Sequence, residues 1–231
     1  MLIMLKAIAK SRVFDLVGVI IVLLSAFLSG YLFETLDEVT HWGGISPLVP
    51  FGLISVGSSV LSLYSDRLTA RMNNLGNWIG LAGVILSGTI DYLLGNKGAI
   101  FTYPVTFIIQ AWAIKVWMNS DQYKARKAPT GMKGGLIITS LIVCSFGFSY
   151  FTNAIAFTQH DWLFYTTTLV FALSLIANAF NALKLRVQWQ FWGLYNIVQL
   201  LKALIQGNFA NVGKYIYYII NSISGLSYWK D

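Results

Sequence analysis

Apolar residues along this chain recur in runs of the length a bilayer requires. A helix needs about 20 predominantly apolar residues to cross ~30 Å of hydrocarbon, and eight segments approach that: 13–33, 47–64, 77–95, 99–118, 134–153, 162–183, 189–206 and 209–228. Several are short or carry amides, hydroxyls and charges, which predicts that the weakest are shielded inside a helix bundle. The pattern predicts an all-α integral membrane protein forming a single membrane domain, 1–231, with no stretch polar enough for a separate soluble domain.

Composition agrees: 56% of the 231 residues are apolar and only 11% charged, a balance foreign to soluble domains of this length. Lys6, Lys10 and Arg12 before the run Val13 to Phe33 have the outline of a signal peptide, but that run is too long for one and predicts an uncleaved first helix. The net charge of +7 does not mark a nucleic-acid binder, because the basic residues sit in short clusters between apolar spans. Lys6, Lys10 and Arg12, Arg67 and Arg71, Lys124, Arg126, Lys127 and Lys133, Lys184 and Arg186, and Lys230 all fall on one side. Glu34, Asp37, Glu38, His41, His160 and Asp161 fall on the other, with Lys97 the basic exception. The positive-inside rule then makes both termini cytoplasmic and the number of spans even. The lone Cys144 lies in an apolar run and reads as a small buried hydrophobe.

An internal repeat sets the expected architecture. An offset of 112 residues places Gly95-Asn96 on Gly207-Asn208, Tyr103 on Tyr215 and Trp117 on Trp229, and brings Gly76-Asn77-Trp78 beside Gln188-Trp189-Gln190. Four spans separate the copies, so the halves run parallel. The expected parsing is a peripheral helix (13–33), a first three-helix repeat (47–118), a linker helix (134–153) and a second three-helix repeat (162–228), with substrate between the repeats near mid-membrane. The basic connection Asn119 to Lys133 is the cytoplasmic joint.

Trp189, Trp192, Asn196 and Gln199 follow spacings of 3, 4 and 3, which puts indoles and amides on one helical face. Such a face suits a heteroaromatic ring stacked on indole, with sugar or amide groups bonded to Asn and Gln. Tyr217, Asn221 and Ser222 on the last span and Gln110, the pseudo-equivalent of Ser222, are expected to face it, so that Gln110, Trp189, Trp192, Asn196, Gln199, Tyr217 and Asn221 form one pocket. The bland alternative is that these amides stitch helices together. Asp91 and Lys202 occupy the same outer level of pseudo-equivalent helices and are candidates for an intramembrane ion pair, or each simply reaches the headgroups, as Lys115 and Lys214 do by snorkelling. The Gly76-x-x-x-Gly80 motif signals a close approach. His41 and His160 fall in outer loops, and neither a metal-ligand cluster nor a phosphate-cradling loop is present. The reading is therefore a non-enzyme without metal, cofactor or nucleotide-driven transport.

The Asn77-Trp78 opening of the third span, the Trp-x-x-Trp of Trp189 and Trp192 and the paired Gly-Asn turns resemble the PnuC family of bacterial vitamin and nucleoside transporters, over roughly residues 13–229. The resemblance implies two parallel three-helix bundles joined by a linker, as in the SWEET sugar transporters. It also implies a homotrimer in the bacterial inner membrane and facilitated diffusion followed by cytosolic phosphorylation that traps the substrate. Ring-binding positions of the family are matched by Trp189, Trp192 and Asn196. Nicotinamide riboside is the first expected substrate, and a nucleoside, deoxynucleoside or thiamine the alternative. A ligand-binding receptor that moves nothing is the rival from another class.

With both termini cytoplasmic, an impermeant thiol reagent applied to intact cells labels a cysteine placed at Asp37 and spares one at Lys124. The opposite pattern inverts the topology.

Overall fold

The computed structural model describes residues 2–36, 49–93, 98–120, 124–126, 128–205 and 209–229. Short α1 (Leu2–Lys10) leads into α2 (Arg12–Leu28), and a 3-10 turn (Tyr31–Phe33) follows. Then come α3 (Phe51–Ala70), α4 (Leu75–Leu93), α5 (Ala99–Met118), α6 (Gly131–Ala156), α7 (Trp162–Ala182), α8 (Gln188–Ile205) and α9 (Phe209–Tyr228). Helices α2 to α9 fall on the eight expected segments. Among the described residues α5, α6 and α7 are each long and apolar enough to cross a membrane, and α1 and α2, bent by 69° at their junction, are a fourth if the bent pair is taken as one span.

Six helices pack as a ring: α3 on α4, α4 on α5, α5 on α7, α7 on α8, α8 on α9, and α9 back on α3. Outside it, α2 covers the α9–α3 seam and α6 lies on α7 with a light touch on α5. Much of α6 is uncovered, including Cys144, which is exposed where the sequence predicts burial. An apolar residue on that outer face needs no protein partner in a bilayer.

The α3–α4 and α7–α8 connections are one turn built twice, 112 positions apart. Met72 and Lys184 both adopt left-handed backbone, φ 59° and 58°, an uncommon choice for non-glycine residues. In each copy the next amide closes a Schellman cap: Asn73 N donates to Leu68 O and Leu185 N to Phe180 O, both at 2.9 Å. The following turn also matches, Gly76 N to Asn73 O at 3.0 Å and Gln188 N to Leu185 O at 3.2 Å. The ends of α5 and α9 brace the ring reciprocally. Trp117 Nε1 donates to Asn181 O (2.8 Å) and Trp229 Nε1 to Ala70 O (3.1 Å). The Gly95-Asn96 and Gly207-Asn208 turns lie outside the described residues.

Gly76 and Gly80 let α4 approach α3 closely. A Cβ on Gly76 would lie 2.6 Å from Ser65 O, and one on Gly80 2.7 Å from Gln110 Nε2.

Helix α3 runs six residues beyond the expected span end at 64, which moves Arg67 from a loop into the protein. Arg67 is fully buried. Its Nε donates to Asp15 Oδ1 (2.6 Å), Nη1 to Asn221 Oδ1 (2.7 Å) and Nη2 to the carbonyls of Ile8, Ala9 and Ser11. Arg71, one turn on, donates to both Asp15 oxygens. Ser11 caps α2 by accepting from Phe14 N at 3.1 Å. The guanidinium thus satisfies the free carbonyls at the end of α1 where the chain bends.

Removing one partner of a buried ion pair leaves the other charge stranded, at a cost of about 3–5 kcal/mol. Asp15→Ala should lose stability on that scale, and Arg71→Ala less, since its side chain is 21% exposed. Denaturation in detergent followed by tryptophan fluorescence measures both. Equal losses would mean that the buried Arg67 is not what Asp15 serves.

Candidate functional site

Inside the ring, α3, α4, α5, α7 and α8 enclose a cavity of ≈ 150 Å³. Pairs of residues 112 apart line it from opposite sides: Ser62 with Ser174, Asp66 with Asn178, and Thr69 with Asn181. Trp189 and Trp192 from α8 and Gln110, Thr106 and Tyr103 from α5 complete much of the wall.

A buried amide network holds this wall. Asn77 Oδ1 accepts from Asn181 Nδ2 (2.7 Å) and Gln110 Nε2 (3.2 Å), while Asn77 Nδ2 donates to Asn74 Oδ1 (2.9 Å). Satisfied networks of this kind fix side-chain orientation in a low-dielectric interior. Two lining residues keep an unpartnered buried polar atom among the described residues, the donor Trp189 Nε1 and the acceptor Asn181 Oδ1. The Trp189 indole lies against Gly225, where an added Cβ would sit 2.6 Å from a ring carbon.

On one side the cavity ends in a packed cluster that includes Met72, Trp117, Trp189 and Trp229. On the other, Ser87 also borders a second, more polar space of ≈ 560 Å³, whose walls include Glu34, Asp91, Asn211 and Lys214. This vestibule corresponds to the side predicted to be external.

The structure brings only part of the expected pocket together. Gln110, Trp189 and Trp192 line the cavity. Asn196 is buried in the α8–α9 contact, its Nδ2 donating to Ser222 Oγ at 3.3 Å, and Gln199 Nε2 donates to Tyr195 OH at 3.1 Å. Tyr217 and Asn221 turn away altogether. Tyr217 stacks on Phe14 with ring centroids 4.5 Å apart and donates to Phe14 O, and Asn221 accepts from Arg67. The buried guanidinium claims that face of α9, and Ser222, one residue round from Asn221, meets α8 instead, where its Oγ accepts from Asn196.

The expected contact between Asp91 and Lys202 is not formed either. Tyr103 OH donates to Asp91 Oδ2 at 2.5 Å, and Lys202 Nζ reaches Thr167 Oγ1 at 3.5 Å. Desolvation favours the shorter, hydroxyl-bonded arrangement over a distant ammonium. Lys214 borders the vestibule instead of the lipid, with its ammonium over the Tyr215 ring at 5.6 Å. His160 stacks on Phe164 at 4.2 Å, a packing role; His41 lies outside the described residues. Among the described residues no three His, Cys, Asp or Glu side chains cluster as a metal site.

Asp66 is the cavity residue that hydropathy misses, because the adjacent charges of Asp66 and Arg67 read as the end of a span. The 112-residue offset could have found it, since it superposes Asp66 on Asn178.

A family model described as nicotinamide mononucleotide transporter matches residues 51–231. Among curated proteins, none matches the chain's sequence. The fold is similar to the crystal structure of the vitamin B3 transporter PnuC, with a TM-score of 0.66 at 15% sequence identity, covering 95% of this chain and 91% of that one. The chain belongs to the nicotinamide mononucleotide transporter family, the PnuC family of membrane transporters.

Proposed function

We propose that this protein carries nicotinamide riboside across the bacterial inner membrane through the central cavity, by facilitated diffusion, with phosphorylation inside the cell trapping the substrate. The supporting observation is the cavity itself: indoles on one wall, amides and hydroxyls on the others, between two stretches of chain that share the same turn 112 residues apart. In this reading the eight long helices cross the membrane, with 47–118 and 162–228 as parallel three-helix units, α6 linking them and both termini cytoplasmic. The protein works as a trimer in which each chain has its own site. The vestibule is the outer approach, and the cluster of Trp117, Trp189 and Trp229 closes the cytoplasmic side.

The lining favours the riboside over its phosphorylated form. Among the described residues no Lys or Arg borders the cavity, and a phosphate dianion there would lack the cationic donors it ordinarily requires. Amides and hydroxyls suit a ribose and a carboxamide.

Uptake of radiolabelled nicotinamide riboside, nicotinamide mononucleotide, thiamine and deoxynucleosides into proteoliposomes tests the assignment. Nicotinamide riboside should enter down its gradient, and the mononucleotide should not. Trp192→Ala should weaken riboside binding by roughly tenfold or more, since stacking adds ~0.5–1.5 kcal/mol beyond buried area. Trp162→Ala, on an exposed residue at the start of α7, should leave it unchanged. Wild-type affinity in Trp192→Ala would make this face a packing surface.

Transport along the substrate gradient alone is the second expectation, because the chain carries no nucleotide-binding motif. Vesicles with equal substrate on both sides should show no net uptake when a proton or sodium gradient is imposed. Accumulation under that gradient would replace facilitated diffusion with ion coupling, for which Asp66 and Asp91 are the available carboxylates.

A further inference from the structure

We propose that Asp66 is a counter-charge that makes the central cavity select a positively charged heteroaromatic ring over a neutral ring of the same shape. The inference rests on the reading of this cavity as the substrate site.

The repeat isolates what Asp66 adds. Asn178, 112 residues on, lines the same cavity and is nearly the same size. Its amide is used locally: Nδ2 donates to Ser174 O at 2.9 Å. A carboxylate has no N–H, so Asp66 cannot make the matching bond to Ser62 O. Among the described residues its oxygens accept no hydrogen bond and lie in no ion pair. Arg67 and Lys214 act on it only from a distance. The Arg67 guanidinium is turned about 100° round the helix, where Asp15, Asn221 and three backbone carbonyls hold it, and Lys214 borders the vestibule.

An unpaired carboxylate inside a membrane bundle is costly unless it meets positive charge. Trp189 and Trp192 share the cavity with it, and an indole face attracts a cation within about 6 Å. A ring carrying a permanent positive charge, such as a pyridinium or thiazolium, is therefore stabilised by both the carboxylate and the indoles. A neutral base keeps the stacking but brings no charge, and its carbonyl oxygens are repelled by the carboxylate.

The test compares two ligands that differ in charge alone: nicotinamide riboside, whose ring is a cation, and benzamide riboside, in which carbon replaces the ring nitrogen. Calorimetric titration of wild-type protein should show the cation bound more tightly, by roughly 10- to 100-fold for a charge-assisted contact. Asp66→Asn copies the side chain of Asn178 and should remove most of that preference by weakening the cation alone, leaving only what the indoles supply. Asp66→Glu should restore part of the preference.

Three results overturn the inference: a wild-type protein that binds both ligands equally, an Asp66→Asn protein that discriminates as strongly as the wild type, and one that weakens both ligands alike. A wild-type protein that binds neither ligand overturns the substrate reading as well, which separates the two failures. If the Asp66→Asn protein does not assemble, Asp66→Ser takes its place, with the same loss of cation preference expected and a wild-type preference overturning the inference.

Discussion

Two indole N–H groups hold the ring closed. Trp117 reaches the carbonyl of Asn181 and Trp229 that of Ala70, so the third helix of each proposed unit is tied to the end of the first helix of the other. Both accepting carbonyls lie in the last turn of a helix, where acceptors can take a bond from outside it; Asn181 O also accepts from Lys184 N at 2.8 Å. Each bond gives a buried indole N–H a partner it would be costly to lack in a low-dielectric interior. The left-handed Met72 and Lys184 follow directly after these turns and redirect the chain so that α4 and α8 start beside the cavity.

That arrangement determines which polar residues a ligand can reach. A helix in a bundle presents several faces, and a polar face is drawn to whatever must be neutralised nearby. On α9 the buried Arg67 takes Asn221, and Phe14 takes Tyr217. On α7 the requirement is different: Asn178 and Asn181 meet the cavity, and the amide of Asn181 joins that of Asn77.

The helices were legible in the sequence because bilayer thickness imposes a length that hydropathy reports directly. The repeat was legible at Trp117 and Trp229, where a large donor is needed twice for the same bond. Helical spacing correctly put Trp189 and Trp192 on one face, but direction was beyond it. Periodicity groups Tyr217 with Asn221 without saying whether α2 or α8 lies opposite, and Arg67, which decides the matter, read as a loop residue. Asp66 was lost for the same reason. Two adjacent charges look like a span end unless they serve different sides of one helix, Arg67 toward Asp15 and Asp66 toward the cavity.

Symmetry is kept in the scaffold and broken in the lining. The turn residues and the bracing tryptophans recur at the repeat offset, whereas Asn77 corresponds to Trp189, Gly80 to Trp192, Gln110 to Ser222 and Asp66 to Asn178. The proposed substrate has a flat ring at one end and a hydroxylated sugar at the other, and a site lined identically from both proposed units would serve one end badly. The Gly80 position shows how far the difference extends. A Cβ there would already lie 2.7 Å from Gln110 Nε2 and 2.8 Å from Ser65 Oγ, so a side chain on α4 would displace the amide that bonds Asn77. Where one unit supplies an indole, the other must supply bare backbone, and the cavity exists because of that inequality.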